Sequence, residues 1–378
     1  MKKSLFVTFV LVSFLSAKAQ QEIQSSQFML NPFLLNPAYS SVDDNTDLKM
    51  GYRNQWQGLE GAPITQYISL HGPVGKPRFG RTHPGDFHNW HGAGGIIMRD
   101  QIGAYTNTRI NANYSYNVKL TDGTEYGYNH HDGLRLAFGA FLGWNSFNVN
   151  TVILGEQKQV GLGNEEFIPT TNDPAYQAIQ ANSDFRSKLD FSFGGMLYYE
   201  DAFYLGVSST QLLESDINLA TDANFSRHYF VTGLAKLQAS EDLYIIPSAI
   251  MKMVNGAPMS ANFNVRADWR DNYYAGIGYR TGDAFTFMLG AQIRWGEEVK
   301  HFRVSKNRYM MYLYYSYDAT ISALRSHDNV TYSNGSHEIT LGFLLPPRFQ
   351  ERNAEDTWKG FKKGKRGKNR KHFLKTVF

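Results

Sequence analysis

The chain has 378 residues, 42% of them hydrophobic and 15% aromatic, with 19% charged and a formal net charge of +4. That balance excludes a disordered chain, and the absence of cysteine excludes disulfides, thiolate metal sites and cysteine nucleophiles. Beyond the N-terminus there is no apolar run of the ~18 residues that a spanning helix needs.

Residues 1–19 read as an export signal. Lys2 and Lys3 precede an apolar stretch from Leu5 to Leu15, and Ala17-Lys18-Ala19 forms a small-x-small cleavage site. Residues 20–46 then read as an N-terminal periplasmic segment. Asn31-Pro32 and Asn36-Pro37 impose turns, and the apolar residues between them need a surface to cover. The segment is expected to fold into or under the periplasmic mouth, or to pack on the barrel edge.

From residue 47 the dominant signal is a period of two. Ile110, Ala112, Tyr114, Tyr116, Val118 and Leu120 alternate with Arg109, Asn111, Asn113, Ser115, Asn117 and Lys119. The same alternation runs through 260–269 and 284–295, and 134–145 sets Leu134, Leu136, Phe138, Ala140, Leu142 and Trp144 on one side. Strands of ten to twelve residues exceed the usual ~5–6 of soluble sheets and match tilted strands crossing a bilayer. Trp269, Trp295, Tyr309 and Tyr317 near strand ends fit aromatic girdles. The expected fold is all-β, an antiparallel transmembrane β-barrel of the outer membrane over 47–346. Fourteen segments are expected, at 47–56, 64–71, 92–100, 107–120, 133–148, 188–200, 202–210, 226–239, 243–254, 258–270, 272–282, 284–295, 307–319 and 336–346. An even count places both termini in the periplasm. Short turns at 200–201, 240–242 and 270–272 on that side oppose long connections at 149–187, 211–225 and 320–335 on the other. The connection 72–90 is long and breaks this rule.

The positive net charge is local. Lys2, Lys3 and Lys18 lie in the leader. The flexible tail 347–378 carries Lys359, Lys362, Lys363, Lys365, Arg366, Lys368, Arg370, Lys371 and Lys375. The body between them is net negative, so no nucleic-acid partner is expected. A tail of this kind suits anionic headgroups or an acidic partner in the periplasm, or is a solvated end without a role.

Motifs for chemistry are absent or weak. No metalloprotease, nucleophile-elbow, phosphate-loop or calcium-loop pattern occurs. His83, His88 and His91, and the pair His130-His131, read as solvated loop histidines rather than metal ligands. Arg227-His228 and Arg325-Ser326-His327-Asp328 read as barrel packing groups. No enzyme activity, cofactor or metal is expected.

Several strings are similar to one known family. Gln27 to Tyr39 (with Asn36, Pro37 and Tyr39), Tyr52-Arg53-Asn54-Gln55-Trp56 and Gly58-Leu59-Glu60-Gly61-Ala62-Pro63 resemble the opening signature of the PorP/SprF outer-membrane proteins of type IX secretion in Bacteroidota. The resemblance continues through Arg99-Asp100-Gln101-Ile102-Gly103, Arg227-His228-Tyr229-Phe230, Asn255-Gly256-Ala257-Pro258, Tyr279-Arg280-Thr281-Gly282-Asp283-Ala284 and Gly335-Ser336-His337-Glu338. It implies a barrel that assists export or surface attachment of a large adhesin or gliding-motility protein. It implies partners among the periplasmic ring or the outer-membrane translocon, and a structural or partner-binding role for these residues. The basic tail is not part of the pattern. A channel or hydrophobic-solute transporter is the competing expectation.

Overall fold

The computed structural model describes residues 24–42, 45–75, 89–121, 125–126, 129–130, 133–150, 185–199, 202–214, 226–270, 272–295, 309–322, 326–327, 330–331 and 333–345. The expected signal and the basic tail lie outside these residues.

Fourteen strands form the barrel. They are β1 Thr46–Asn54, β2 Ile64–Val74, β3 Trp90–Ile102, β4 Tyr105–Lys119, β5 Leu134–Val149, β6 Phe185–Tyr199 and β7 Phe203–Thr210. β8 follows in two pieces, His228–Ala235 and Leu237–Ser240. The rest are β9 Leu243–Val254, β10 Ser260–Trp269, β11 Tyr273–Arg280, β12 Ala284–Trp295, β13 Tyr309–Thr320 and β14 Ser336–Leu345. Each pairs antiparallel with its chain neighbours. The last strand pairs with the first, from Thr46 opposite Leu345 to Asn54 opposite His337, and this closes the sheet. Closure leaves no row of unpaired backbone groups facing lipid. Two short ribbons, Glu125–Tyr126 with Asn129–His130 and Ser326–His327 with Val330–Thr331, lie in the connections after β4 and β13.

The pleat sorts the side chains as the alternation predicts. Leu142, Leu189, Ile277, Leu289 and Ile293 face outward and are more than 60% exposed. On the same strands Asn145, Asp190, Arg280 and Thr286 face inward and are buried. Large apolar groups outside and polar groups inside invert a soluble core and fit a lipid surround.

Call the end of the barrel holding Thr46 and Leu345 the starting end, and the end holding Asn54 and Ser336 the far end. The connections 200–202, 241–242 and 270–272 at the starting end are short, as expected. Three others there are long, 75–89, 120–133 and 296–308, so the asymmetry is weaker than the single expected exception. The far end carries the longest connection, 150–184.

Residues 24–42, expected to fold into or under a mouth of the barrel or to pack on its edge, lie deeper than a mouth. They fill the lumen. Ser26, Gln27, Phe28, Met29, Asn31, Phe33, Leu35, Asn36, Ala38, Ser40 and Ser41 are all buried. Pro32–Leu34 and Pro37–Ser41 form two 3-10 turns, each opened by one of the Asn-Pro steps. Proline suits the first position of such a turn because its missing N–H would be unpaired there anyway.

Candidate functional site

The plug is fastened at both ends of the lumen, by different chemistry. At the far end it meets a buried ionic cluster. Arg53 on β1 donates from Nη2 to Asp318 Oδ2 (2.8 Å) and from Nη1 to Glu338 Oε2 (3.0 Å) and Ser26 Oγ (3.1 Å). Arg280, closing β11, donates from Nη2 to Ser26 Oγ (2.7 Å) and from Nη1 to Asp283 Oδ2 (3.0 Å) and Asp318 Oδ2 (3.3 Å). The plug completes the set. Ser26 Oγ donates to Asp318 Oδ2 (2.6 Å), the Ser26 N–H to Glu338 Oε2 (2.8 Å), and Ser25 Oγ to Glu338 Oε1 (2.6 Å). Thr286 holds the second oxygen of Asp318 at 2.8 Å. Buried charges are tolerated only when paired and hydrogen-bonded, and here the plug's two serines supply part of the pairing.

At the starting end the clamp is aromatic and amide. The Trp90 indole N–H donates to Ser41 O (2.6 Å) and Asn117 Nδ2 donates to the same carbonyl (3.0 Å). The Arg135 guanidinium lies 3.8 Å above the Trp90 ring and donates to Asn117 Oδ1 at 3.1 Å. Asn117 also contacts the Tyr198 hydroxyl.

Between the clamps the plug is anchored sideways. Phe28, Met29 and Leu35 pack on Phe230, Ile250 and Met288. Phe33 packs on Ile96, Met98 and Phe141 and stacks on His71. Four buried anchors contribute roughly 1.5–3 kcal/mol each, an upper estimate. Asn36 joins plug to wall: Oδ1 accepts from Ala38 N, and Nδ2 donates to Gly195 O (3.0 Å) and Val207 O (3.3 Å). Asn113 Nδ2 donates to Pro37 O (2.9 Å), and Ser40 meets Ser115 at 2.7 Å. Tyr39 sits edge-on to His71.

The plug therefore runs the length of the lumen. Gln24 lies beside Gln55 at the far end, and Ser41 lies beside Trp90 at the starting end. Gln24 and Leu345, the first and last described residues, thus lie at opposite ends of the barrel. In the full-length protein, which has no native cysteine, single Gln24→Cys and Leu345→Cys variants should be labelled by a membrane-impermeant maleimide from opposite faces of the membrane.

Not every residue singled out from sequence belongs to these clamps. Arg53, Arg280 and Asp283 do. Trp56 adjoins them: its N–H donates to Ser336 Oγ and its indole reaches Asp283 Oδ1 at 3.4 Å. Its left-handed φ of 51° is uncommon for a bulky residue. Gln55 pairs its backbone with Pro63 O, and Gly61, at φ 72°, accepts from Gly103 N, so both shape the β1–β2 turn. Glu60 is exposed there, and Asn54 ends β1 opposite Ile64. Arg99 faces outward, whereas its neighbour Asp100 accepts from Thr65 Oγ1 at 2.6 Å. Arg227 caps the loop after β7 through Leu212 O (2.9 Å). His228 is buried and bonded to Ser226 O. His337 faces outward against Tyr315 and Tyr317, and His91 does the same against Tyr114 and Tyr116. His83, His88, the side chains of His130 and His131, and the basic tail from Lys362 to Lys371 lie outside the described residues. Asp318 was missed, and Glu338 was quoted only within a motif string. An inward-facing acid on a strand, set against inward arginines on others, was the available signal.

A FadL homologue from Pseudomonas aeruginosa is similar at 12% identity and TM-score 0.43, covering 82% of this chain and 92% of that one. The Pseudomonas putida toluene transporter TodX matches at 9% identity and TM-score 0.43, covering 84% and 94%. The Acinetobacter baumannii outer membrane protein Omp33 matches at 6% and 0.37, covering 81% and 100%. No curated protein sequence matches. A family model described as "Type IX secretion system membrane protein PorP/SprF" matches residues 17–343, and the chain, an outer-membrane β-barrel with its own N-terminal segment in the lumen, belongs to that family.

Proposed function

We propose that this barrel is a sealed, non-catalytic accessory of type IX secretion that assists export or cell-surface attachment of one large adhesin or motility protein. Its partners on this reading are that cargo and components of the periplasmic ring or outer-membrane translocon. The even strand count and the position of the 150–184 connection support a far end facing outward and a starting end facing the periplasm.

The observation that carries the reading is the doubly clamped plug. A lumen occupied from mouth to mouth, with a buried ion cluster at one end and the Trp90–Arg135–Asn117 set at the other, suits a protein that presents two rigid mouths to partners rather than one that conducts solute. The inward arginines and acids pair with one another and with the plug, which supports a packing role for them over a catalytic one.

Deletion of the gene tests this. Surface proteomics should show one adhesin lost while other secreted cargo persists; loss of all cargo would replace the accessory role with a core-machine role. Planar-bilayer recording addresses the competing channel. The purified barrel should give no large stable current, and a large partner-free conductance would favour a transporter.

A further inference from the structure

Among the described residues two histidines face outward, one toward each end of the barrel, and each sits against two tyrosines of the next strand. On β3 at the starting end, His91 lies opposite Tyr116 of β4, and its Nδ1 meets the Tyr114 hydroxyl at 2.7 Å. On β14 at the far end, His337 lies opposite Tyr317 of β13, and its Nδ1 meets the Tyr315 hydroxyl at 2.7 Å. A hydroxyl that donates to Nδ1 leaves the ring proton on Nε2, the nitrogen on the other side of the ring.

The second tyrosine separates the two clusters. The Tyr317 hydroxyl donates to Asn334 O at 2.9 Å, so its hydrogen is already used. Tyr116 has the reverse arrangement. Asn89 Oδ1 accepts from the Lys119 N–H (3.0 Å), which turns the amide so that Nδ2 donates to the Tyr116 oxygen (3.2 Å). Tyr116 therefore accepts and keeps its own hydrogen to give. The starting-end cluster presents two donors side by side, His91 Nε2–H and Tyr116 O–H, on exposed side chains. The outward residues paired with it are Val74 opposite His91, Phe138 opposite Tyr116 and Ala93 opposite Tyr114. None of these three is acidic, so they do not repel an anion that accepts from both donors.

Toward the middle of the membrane the wall beside His91 is low. The next outward residues of β3 are Ala93 and Gly95, and Ala112 of β4 lies opposite Gly95. Outside its chain neighbours, a Cβ added to Gly95 would meet only Asn111 O, at 3.3 Å, so no side chain covers this floor. Leu70, opposite Gly95 on β2, and Leu142, opposite Ala112 on β5, are 47% and 61% exposed and stand as its sides. Paired donors at the head of an open apolar channel suit an amphiphile with an anionic head and a hydrocarbon chain.

We propose that His91 and Tyr116, oriented by Tyr114 and Asn89, bind the phosphate of a phospholipid in the leaflet at the starting end, with one acyl chain lying on Ala93, Gly95 and Ala112 between Leu70 and Leu142. Hydrogen bonds to an ionised phosphate are roughly twice as strong as neutral ones. The far-end cluster has one such donor fewer and serves as an internal control. The site does not depend on the secretion role proposed above.

Native mass spectrometry of the full-length protein in detergent, titrated with dioleoylphosphatidylethanolamine, provides the test. The first lipid should bind more tightly than later ones, and a His91→Phe/Tyr116→Phe variant should weaken that first step by about tenfold. Gly95→Leu, which keeps both donors and raises the floor, should weaken it as well. His337→Phe should leave it at the parental level. Dioleoylglycerol, which has the chains without the phosphate, should not compete. Retained heat-modifiable mobility shows that each variant is folded. Equal first-step affinity in the parent and the double variant, an equal loss in His337→Phe, competition by dioleoylglycerol, or displacement of the lipid by inorganic phosphate alone would overturn the proposal.

Discussion

Replacing Arg53 by methionine should unfasten the far end of the plug and destabilise the barrel by about 3–5 kcal/mol, the cost of leaving buried carboxylates without their partner. Arg53 is 3% exposed and touches Asp318, Glu338 and Ser26 at once. Methionine fills much of the same volume but cannot donate. Arg280 still reaches Asp318, so the larger loss falls on Glu338, whose remaining donors come from Ser25 and Ser26 of the plug. The expected result is a lower unfolding temperature, read from the heat-modifiable mobility of the folded barrel. Brief current openings should appear in a bilayer where the parent is silent. An Arg53→Met/Glu338→Gln double variant separates charge from packing. If the penalty is an uncompensated carboxylate, the second change should recover part of the lost stability, and the non-additivity measures the coupling. An Arg53→Met protein as stable and as silent as the parent would show that the cluster does not hold the plug.

The barrel wall was legible because its physics is local. A strand between lipid and a polar lumen must alternate, and segments such as 109–120 and 260–269 do so without interruption, so the expected strands 107–120 and 258–270 end within two residues of the observed 105–119 and 260–269. The plug was legible only in its turns. Asn31-Pro32 and Asn36-Pro37 announce two tight turns, and both are present. Phe28, Met29, Phe33 and Leu35 have no period that says which surface they cover, and that surface is assembled from β3, β5, β8, β9 and β12. The ionic cluster had the same difficulty. Arg53 and Arg280 stand out as inward charges and Asp283 lies three residues from Arg280, but Asp318 and Glu338 lie elsewhere in the chain, and closure of β14 onto β1 brings Glu338 to Arg53. Most of the remaining motif residues serve the β1–β2 turn or the outward aromatic contacts. In those positions the sequence pattern marks shape rather than chemistry.

The glycines of the inner wall carry the second strong prediction. Gly92, Gly94, Gly139, Gly194 and Gly206 face the plug, and a Cβ at any of them would overlap plug atoms or the groups packed with them. Gly139 is the strictest case. Its Cβ would fall on the carbonyl group and following nitrogen of the Pro37–Ala38 peptide, which is backbone and cannot rotate aside. Gly139→Val should therefore expel the Pro37–Ser41 turn from its bed. Expulsion would break Asn113 from Pro37 O and draw Ser41 O away from Trp90 and Asn117. Valine itself suits a strand, so the wall should still close. The expected phenotype is a folded, heat-modifiable barrel in which the plug becomes cleavable by added protease and a steady conductance replaces silence. Gly195→Val is the control. It is a neighbour of Gly194 on the opposite face, and its Cβ would come no nearer than 3.7 Å to any atom outside its chain neighbours. It should leave plug protection and conductance at the parental level. Equal behaviour of the two variants would mean that the turn is not bedded against the wall and that small residues at Gly139 serve only the curvature of the sheet.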